Sequence, residues 1–393
     1  MRTPSQSQPR LWARNYVLAL GCTLLFWASF YLLMPVLPLY VVQRLGGSTA
    51  QVGLLTAAVN WLSVPARFVS GWACDRWGRR PVQLFFLALF CAVALGYNLA
   101  TTFGLLLLLR LLHGLPFGGA TTAGQVVVSD IVPAARRGEG IGYYTLAGTL
   151  TMAVAPTLAF AILNRGDYGQ LFMLAALLAA GALLLAWLIS HPQVRNPQAR
   201  YSLAGLFEGR VLWVSIVGLF IALGYSAIIS FVSLYAQEVG VANAGIFFSV
   251  YAVGVLLIRP LAGRLFDRRG PGPVMAGGLP LLAMSYLTLG LWRSEPGYLA
   301  GGLLFGLGYG AVIPVLQAMA VSVVPPERRG AANATLFAVF DLGMSVGPYV
   351  NALLAAAGGY STMYLVAAAL LVVPALLFYG PVLREYGGVG REA

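Results

Sequence analysis

The chain reads as an all-α membrane protein of twelve transmembrane helices in two pseudo-symmetric six-helix bundles. Of its 393 residues 59% are hydrophobic and only 9% charged, and the mean hydropathy is +0.82, so nearly every segment is too apolar to face water. Apolar stretches of helix-spanning length, about 20 residues each, lie at 16–42, 50–72, 82–100, 103–128, 139–163, 170–190, 211–236, 244–264, 273–292, 297–323, 330–356 and 361–380. Six fall in each half. Twelve polar or turn-forming residues also recur at one spacing of 192: Arg67/Arg259, Gly71/Gly263, Asp75/Asp267, Arg76/Arg268, Gly78/Gly270, Pro81/Pro273, Gln125/Gln317, Pro133/Pro325, Arg136/Arg328, Arg137/Arg329, Gly138/Gly330 and Pro156/Pro348. Because that offset never slips between Arg67 and Pro156, the halves share one arrangement of elements over that stretch.

The first span follows a short basic start. It is too long for a signal-peptide core and has no clear small-residue cleavage site, so it reads as a retained helix. The second and third spans flank the polar stretch Gly71–Pro81, and the fourth carries Arg110 and His113. The fifth and sixth complete a first bundle, residues 1–190. Residues 191–210, rich in Pro and Arg, break the apolar pattern and read as a linker, with His191 solvated. The remaining six spans, in 211–393, repeat the plan. Glycines inside them, such as Gly301, Gly302, Gly306, Gly308 and Gly310, let helices approach closely in lipid. Cys22, Cys74 and Cys91 have neither disulfide nor metal-ligand spacing and read as small packing residues.

Orientation comes from the basic residues, all 24 of which are arginine. Eighteen fall in the termini or in loops that follow even-numbered spans, whereas Arg44, Arg165 and Arg293 form the opposite set. By the positive-inside rule both termini are cytoplasmic. The net charge of +12 then reflects this asymmetry and attraction to anionic headgroups, not affinity for nucleic acid.

In the loop after the second span, Gly71 is expected to permit close helix approach, Gly78 to allow the tight turn, and Arg76, Arg79 and Arg80 to anchor the loop. Asp75 has no part in those needs; a carboxylate there suits a helix cap or a breakable pair with an arginine. A degenerate copy follows the eighth span, from Gly263 through Asp267 to Gly270. The first loop resembles the cytoplasmic gate motif G-x-x-x-D-R-x-G-R-R of the major facilitator superfamily, and the resemblance covers essentially the whole chain. Leu109-Arg110-Leu-Leu-His113-Gly114 is similar to the fourth-helix pattern of proton-coupled drug exporters. Gly343-Met-Ser-Val-Gly347-Pro348, in the eleventh span, resembles a glycine–proline motif typical of the fifth helix of antiporters; the fifth span here has Ala155 where that motif has Gly.

The resemblance implies two bundles related as parallel repeats about an axis along the membrane normal. It also implies that Asp75 caps the eleventh helix and engages Arg79 and Asp130 when the cytoplasmic side is closed. Across the repeat Arg79 becomes Pro271, Arg80 becomes Gly272 and Asp130 becomes Ser322, so the lock is one-sided.

Three ionisable residues inside spans lack a counterpart: Arg110 falls opposite Gly302, His113 opposite Phe305, and Asp341 opposite Thr149. Arg or Asp at a helix centre costs about 2.5 to 3.5 kcal/mol on insertion scales, so such residues pair or line wet cavities. Arg110 and Asp341 lie at comparable depth and are read as partners in proton coupling, with His113 on the Arg110 face. The alternatives are snorkelling for Arg110 and hydrogen-bonded packing for His113. Arg67 and Arg259 read as gate or snorkelling residues. The resemblance lines a central cavity with the first, fourth, seventh and tenth helices, where this chain offers Trp27, Tyr31, Phe117, Gln125, Tyr225, Tyr309 and Gln317, residues that also suit an ordinary bundle core.

Together these readings give a monomeric alternating-access carrier of a bacterial inner membrane, with no cofactor, that exports a small amphipathic compound in exchange for protons. Uptake of a polar nutrient and movement of lipid fit the same fold. The absence of a long signalling domain disfavours a transport-dead receptor, and the lack of a nucleophile–base or metal cluster disfavours an intramembrane enzyme. Cysteines introduced at Ser202 and Pro326 are expected to react only with reagents on the cytoplasmic side and one at Gly166 only from outside; external labelling at position 202 overturns the topology.

Overall fold

The computed structural model describes residues 11–133, 136–163, 168–191, 207–325, 328–384 and 386, without the side chains of 137–139, 142, 153, 267, 329 and 330. In lipid the backbone must satisfy its own hydrogen bonds, and the described chain does so with helices. α1 spans Arg14–Gln43, interrupted at residues 34–36 beside Pro35, which cannot donate a backbone hydrogen bond. Then follow α2 Thr49–Trp77, α3 Arg79–Gly96, α4 Phe103–Ile131, α5 Arg137–Leu163 and α6 Tyr168–Leu188. The second set is α7 Leu212–Glu238, α8 Ile246–Arg269, α9 Pro271–Leu291 and α10 Glu295–Ser322. The helical run Arg329–Leu370 breaks at Gly359, where φ is 76°. That break separates α11 (329–358) from α12 (360–382), which ends in a π-helical turn, Phe378–Val382.

Two ends can be told apart. The start of α1, the α2–α3 and α8–α9 turns and the entries to α5, α7 and α11 lie at an arginine-rich end. Both of those turns pivot on the repeat-related glycines, Gly78 at φ 98° and Gly270 at φ 74°, a region that only glycine enters without strain. At the far end, side-chain caps start three helices: Ser48, in a capping box with Gln51, Thr102 and Ser294.

Helix packing repeats atom for atom in places. A Cβ on Gly114 would lie 1.9 Å from the Val59 carbonyl oxygen, and one on Gly306 would lie 2.0 Å from that of Tyr251. Gly114/Gly306 and Val59/Tyr251 are both separated by 192, so one glycine contact sets the α2–α4 approach in one bundle and the α8–α10 approach in the other. Gly301 and Gly308 likewise leave no room for a Cβ, at 2.7 Å from Leu289 and Leu282.

Between the bundles, α2 meets α11 and α5 meets α8. A Cβ on Gly53 would stand 2.5 Å from the Pro348 carbonyl oxygen and one on Gly245 2.9 Å from Phe160. Thr157 and Ser249 share a hydroxyl hydrogen bond of 2.6 Å, and Asn60 Nδ2 donates to the Met344 carbonyl at 3.1 Å. These contacts belong to the far-end half and the middle. Among the described residues, these contacts join the bundles toward the far end, and a chamber lined by Ala262, Gly263 and Phe266 lies between the two toward the arginine-rich end.

Residues 192–206 of the expected linker lie outside the described residues, but His191 corrects its expected solvation. It is buried where α3 and α6 pack, with Nε2 2.7 Å from Gln83 Oε1 and Nδ1 2.9 Å from the Ile189 carbonyl. Burial holds its pKa below the ordinary histidine value.

Gly114→Ala and Gly306→Ala are each expected to lower stability by about 1–3 kcal/mol, because the clash is with backbone that no rotamer relieves. Gly277→Ala, where a Cβ meets nothing within 4 Å, should be neutral or stabilising. Thermal unfolding of the purified chain in detergent checks all three.

Candidate substrate cavity and its ion pair

Where the bundles part, two connected chambers form between them. The inner one, about 200 Å³, is walled by Phe30, Met34, Phe117, Tyr225, Phe340 and Met344, with Asn60, Asp341 and Gln317 among its polar groups beside Arg67. The outer one, about 620 Å³, runs toward the arginine-rich end past Thr121, Gln125, Tyr144, Thr149, Arg259 and Phe266. Trp27, Tyr31, Arg67, Met152, Tyr309 and Gln317 line both. All seven residues assigned to a cavity from the sequence therefore face it. Their rings form stacks, Trp27 on Tyr31 at 5.3 Å and Tyr225 on Tyr309 at 4.7 Å, which present flat apolar faces to an occupant.

At the junction of the chambers Arg67 Nε donates to Asp341 Oδ2 at 2.9 Å, and Arg67 Nη1 donates to Thr121 Oγ1 at 3.2 Å. The side chains are 22% and 10% exposed, so the pair is largely withdrawn from water. Arg67 lies ten positions before Trp77, about 15 Å along the helix. Of the two roles expected for it, gating and snorkelling to a helix end, the second is corrected: it binds a carboxylate across the bundle boundary.

The pairing of Asp341 with Arg110 is also corrected. Arg110 is 1% exposed inside the first bundle, where Nη2 lies 2.9 Å from Met34 Sδ and the guanidinium sits 5.3 Å from the Phe30 ring. Depth along the membrane suggested Arg110; helix adjacency decides for Arg67, because α2 and not α4 packs on α11. His113 shares the Arg110 pocket. Its Nδ1 is 3.0 Å from the Tyr97 hydroxyl and its ring lies 4.5 Å from that of Phe90, away from the cavity.

The repeat supplied a signal for Arg67. The offset of 192 that relates Arg67 to Arg259 also relates Thr149 to Asp341, and Arg259 Nη2 donates to Thr149 Oγ1 at 3.0 Å. The two contacts are pseudo-symmetric mates, one between charges and one between a charge and a hydroxyl.

At the α2–α3 turn, Arg79 is buried and donates to Asp130 at 2.8 Å, to Asp75 at 3.2 Å and to the Cys74 carbonyl at 3.0 Å. Arg76 lies 5.8 Å from the Trp72 ring, and Arg80 reaches the Trp187 carbonyl at 3.4 Å. The Asp75 carboxylate is 57% exposed, and α11 starts without a side-chain cap, so the cap expected of Asp75 is not made. The close helix approach expected at Gly71 is not seen, its nearest potential neighbour being Thr122 at 4.0 Å, and Gly263 meets nothing within 4 Å. The Asp267 side chain lies outside the described residues. In the second bundle Arg328 donates to Glu208 at 2.9 Å, which holds that carboxyl below the usual carboxylate range.

A family profile described as Major Facilitator Superfamily matches residues 19–244 and 214–391. The chain belongs to that superfamily. It is 27% identical over 417 aligned positions to the multidrug resistance protein MdtG of Enterobacter lignolyticus, covering 99% of this chain and 97% of that one. Among solved structures, a POT family transporter bound to 5-aminolevulinic acid superposes with a TM-score of 0.80 at 14% identity, over 96% of each chain. The human organic anion transporter MFSD10 superposes with a TM-score of 0.73 at 20% identity, over 93% of this chain and 98% of the other. These two likenesses concern the fold. Superfamily membership makes the chain a membrane transporter and not an enzyme.

Within this transporter fold, Arg67→Gln is expected to cost roughly 3 kcal/mol because it strands a buried carboxylate. Adding Asp341→Asn should recover much of that loss. Thermal unfolding of the two single variants and the double variant checks the coupling, and additive losses would mean that the pair carries no interaction.

Proposed function

We propose that the chain exports small amphipathic, drug-like compounds by proton-coupled alternating access. The carrying observation is the Arg67–Asp341 ion pair, which lies at once in the cavity wall and between α2 and α11. A residue pair so placed can respond to cargo, to protonation and to movement of the bundles. The full-length likeness to a protein named for multidrug resistance supports the cargo class and the direction.

In this reading the arginine-rich end and both termini face the cytoplasm of a bacterial inner membrane, as the arginine distribution argues. The arrangement is then inward-open, and the first bundle (1–190) rocks as a monomer's half against the second (211–393). Cargo entering from the cytoplasm lies against the aromatic stacks and competes for Arg67 or Asp341. Parting α2 from α11 leaves the carboxylate without its guanidinium in a low-dielectric site, where a proton neutralises it. Return to the inward-open form re-forms the pair and expels that proton. The Arg79 cluster sits at the turn that meets the second bundle when the cytoplasmic end closes.

A potential of about 100 mV supplies roughly 2.3 kcal/mol per charge moved, enough to concentrate cargo many-fold. Asp341→Asn is expected to abolish accumulation in proteoliposomes under an imposed pH gradient while downhill exchange persists. Accumulation that survives Asp341→Asn removes Asp341 from the coupling step.

A further inference from the structure

The pseudo-symmetric contacts differ in charge balance, and that difference has a chemical reading. Arg67 is compensated by Asp341, whereas its mate Arg259 has the hydroxyl of Thr149 in the equivalent place. Arg259 Nε is enclosed and makes no hydrogen bond. The residues lining the two chambers include Arg67, Arg259 and Asp341, and the one carboxylate among them is already engaged by Arg67. The walls thus carry one guanidinium without an anion. Arg110, which also lies within a membrane span, is shut inside the first bundle and does not line the cavity.

We infer that Arg259 is the recognition point for an anionic group, so that the preferred cargo is an amphipathic anion with an aromatic body and one carboxylate or comparable head. This deepens the exporter reading above and rests on it. The guanidinium offers planar paired donors that fit a carboxylate, and an enclosed, partly desolvated site strengthens the contact. Tyr251 and Tyr309 line the same chamber, their rings 6.2 Å apart, and the Tyr225–Tyr309 stack continues from there to the inner chamber. An anion held at Arg259 can therefore lay an aromatic body along the tyrosines toward Trp27 and Tyr31. An inside-negative potential also drives such a cargo outward.

Naphthylacetate, naphthylacetamide and naphthylethylammonium keep the ring system and change only the head group. Binding of each to the full chain in nanodiscs is measured by calorimetry, and counterflow of each is measured in proteoliposomes. The carboxylate should bind about tenfold tighter than the amide, as expected for one charge-assisted contact, and the ammonium weakest. Arg259→Gln should erase the preference of the carboxylate over the amide. Thr149→Asp should erase it too, by giving Arg259 the partner that Arg67 already has, and it carries the test should Arg259→Gln fail to fold. Equal binding of the three compounds, preference for the ammonium, or equal weakening of all three by Arg259→Gln overturns the inference. Counterflow of the amide or the ammonium without the carboxylate overturns it while leaving the carrier reading intact; counterflow of none of them, with no binding, overturns both.

Discussion

A charge inside a bilayer must be paired, hydrated or neutralised, because insertion of a lone Asp or Arg at a helix centre costs about 2.5 to 3.5 kcal/mol. In this chain that requirement ties the two bundles together. Asp341 on α11 and Arg67 on α2 meet at 2.9 Å across the bundle boundary, and the cavity opens beside them. Each can move away only by stranding the other, so the relative position of the bundles and the contents of the cavity beside the pair bear on one contact. Breaking one half of such a pair is costly even where the intact pair contributes little net stability.

The two halves share their backbone contacts and differ in their charges. Gly114 against Val59 and Gly306 against Tyr251 are the same close approach made twice. These contacts have no room for variation, since a methyl group would strike a carbonyl oxygen. The polar positions around the cavity are under no such steric limit. Asp341 and Thr149 occupy equivalent places, and the repeat tolerates either because both accept a hydrogen bond from an arginine. Duplication thus supplies a symmetric scaffold, and substitution at a few cavity positions makes the two faces chemically unequal.

The α2–α3 turn shows the same division. Gly78 and Gly270 keep the positive φ that both turns require, but the buried Arg79 between Asp75 and Asp130 has no equivalent at Pro271 and Ser322. The second bundle secures its arginine-rich end differently, through Arg328 and Glu208. The Arg79 cluster lies within the first bundle, and the Asp75 carboxylate is exposed.

The fold was legible because its causes are local and additive along the chain. Hydropathy over spans of about 20 residues reports a transmembrane helix without reference to neighbours, and the spacing of 192 reports the duplication. The repeated glycines could be placed for the same reason, whereas the cavity aromatics were placed by the resemblance to the superfamily. The partner of Asp341 could not be read from depth alone, since Arg110 and Arg67 are both basic and both within the membrane; the packing of α2 on α11 selects Arg67, and the packing of α4 turns Arg110 toward Met34 and Phe30. His191 escaped for a related reason, as only the joining of α3 and α6 brings Gln83 to its ring. Sequence determines which segments enter the membrane and which of them are copies. Which charges meet depends on the azimuth and adjacency of helices hundreds of residues apart, and that is settled by close packing of the whole bundle.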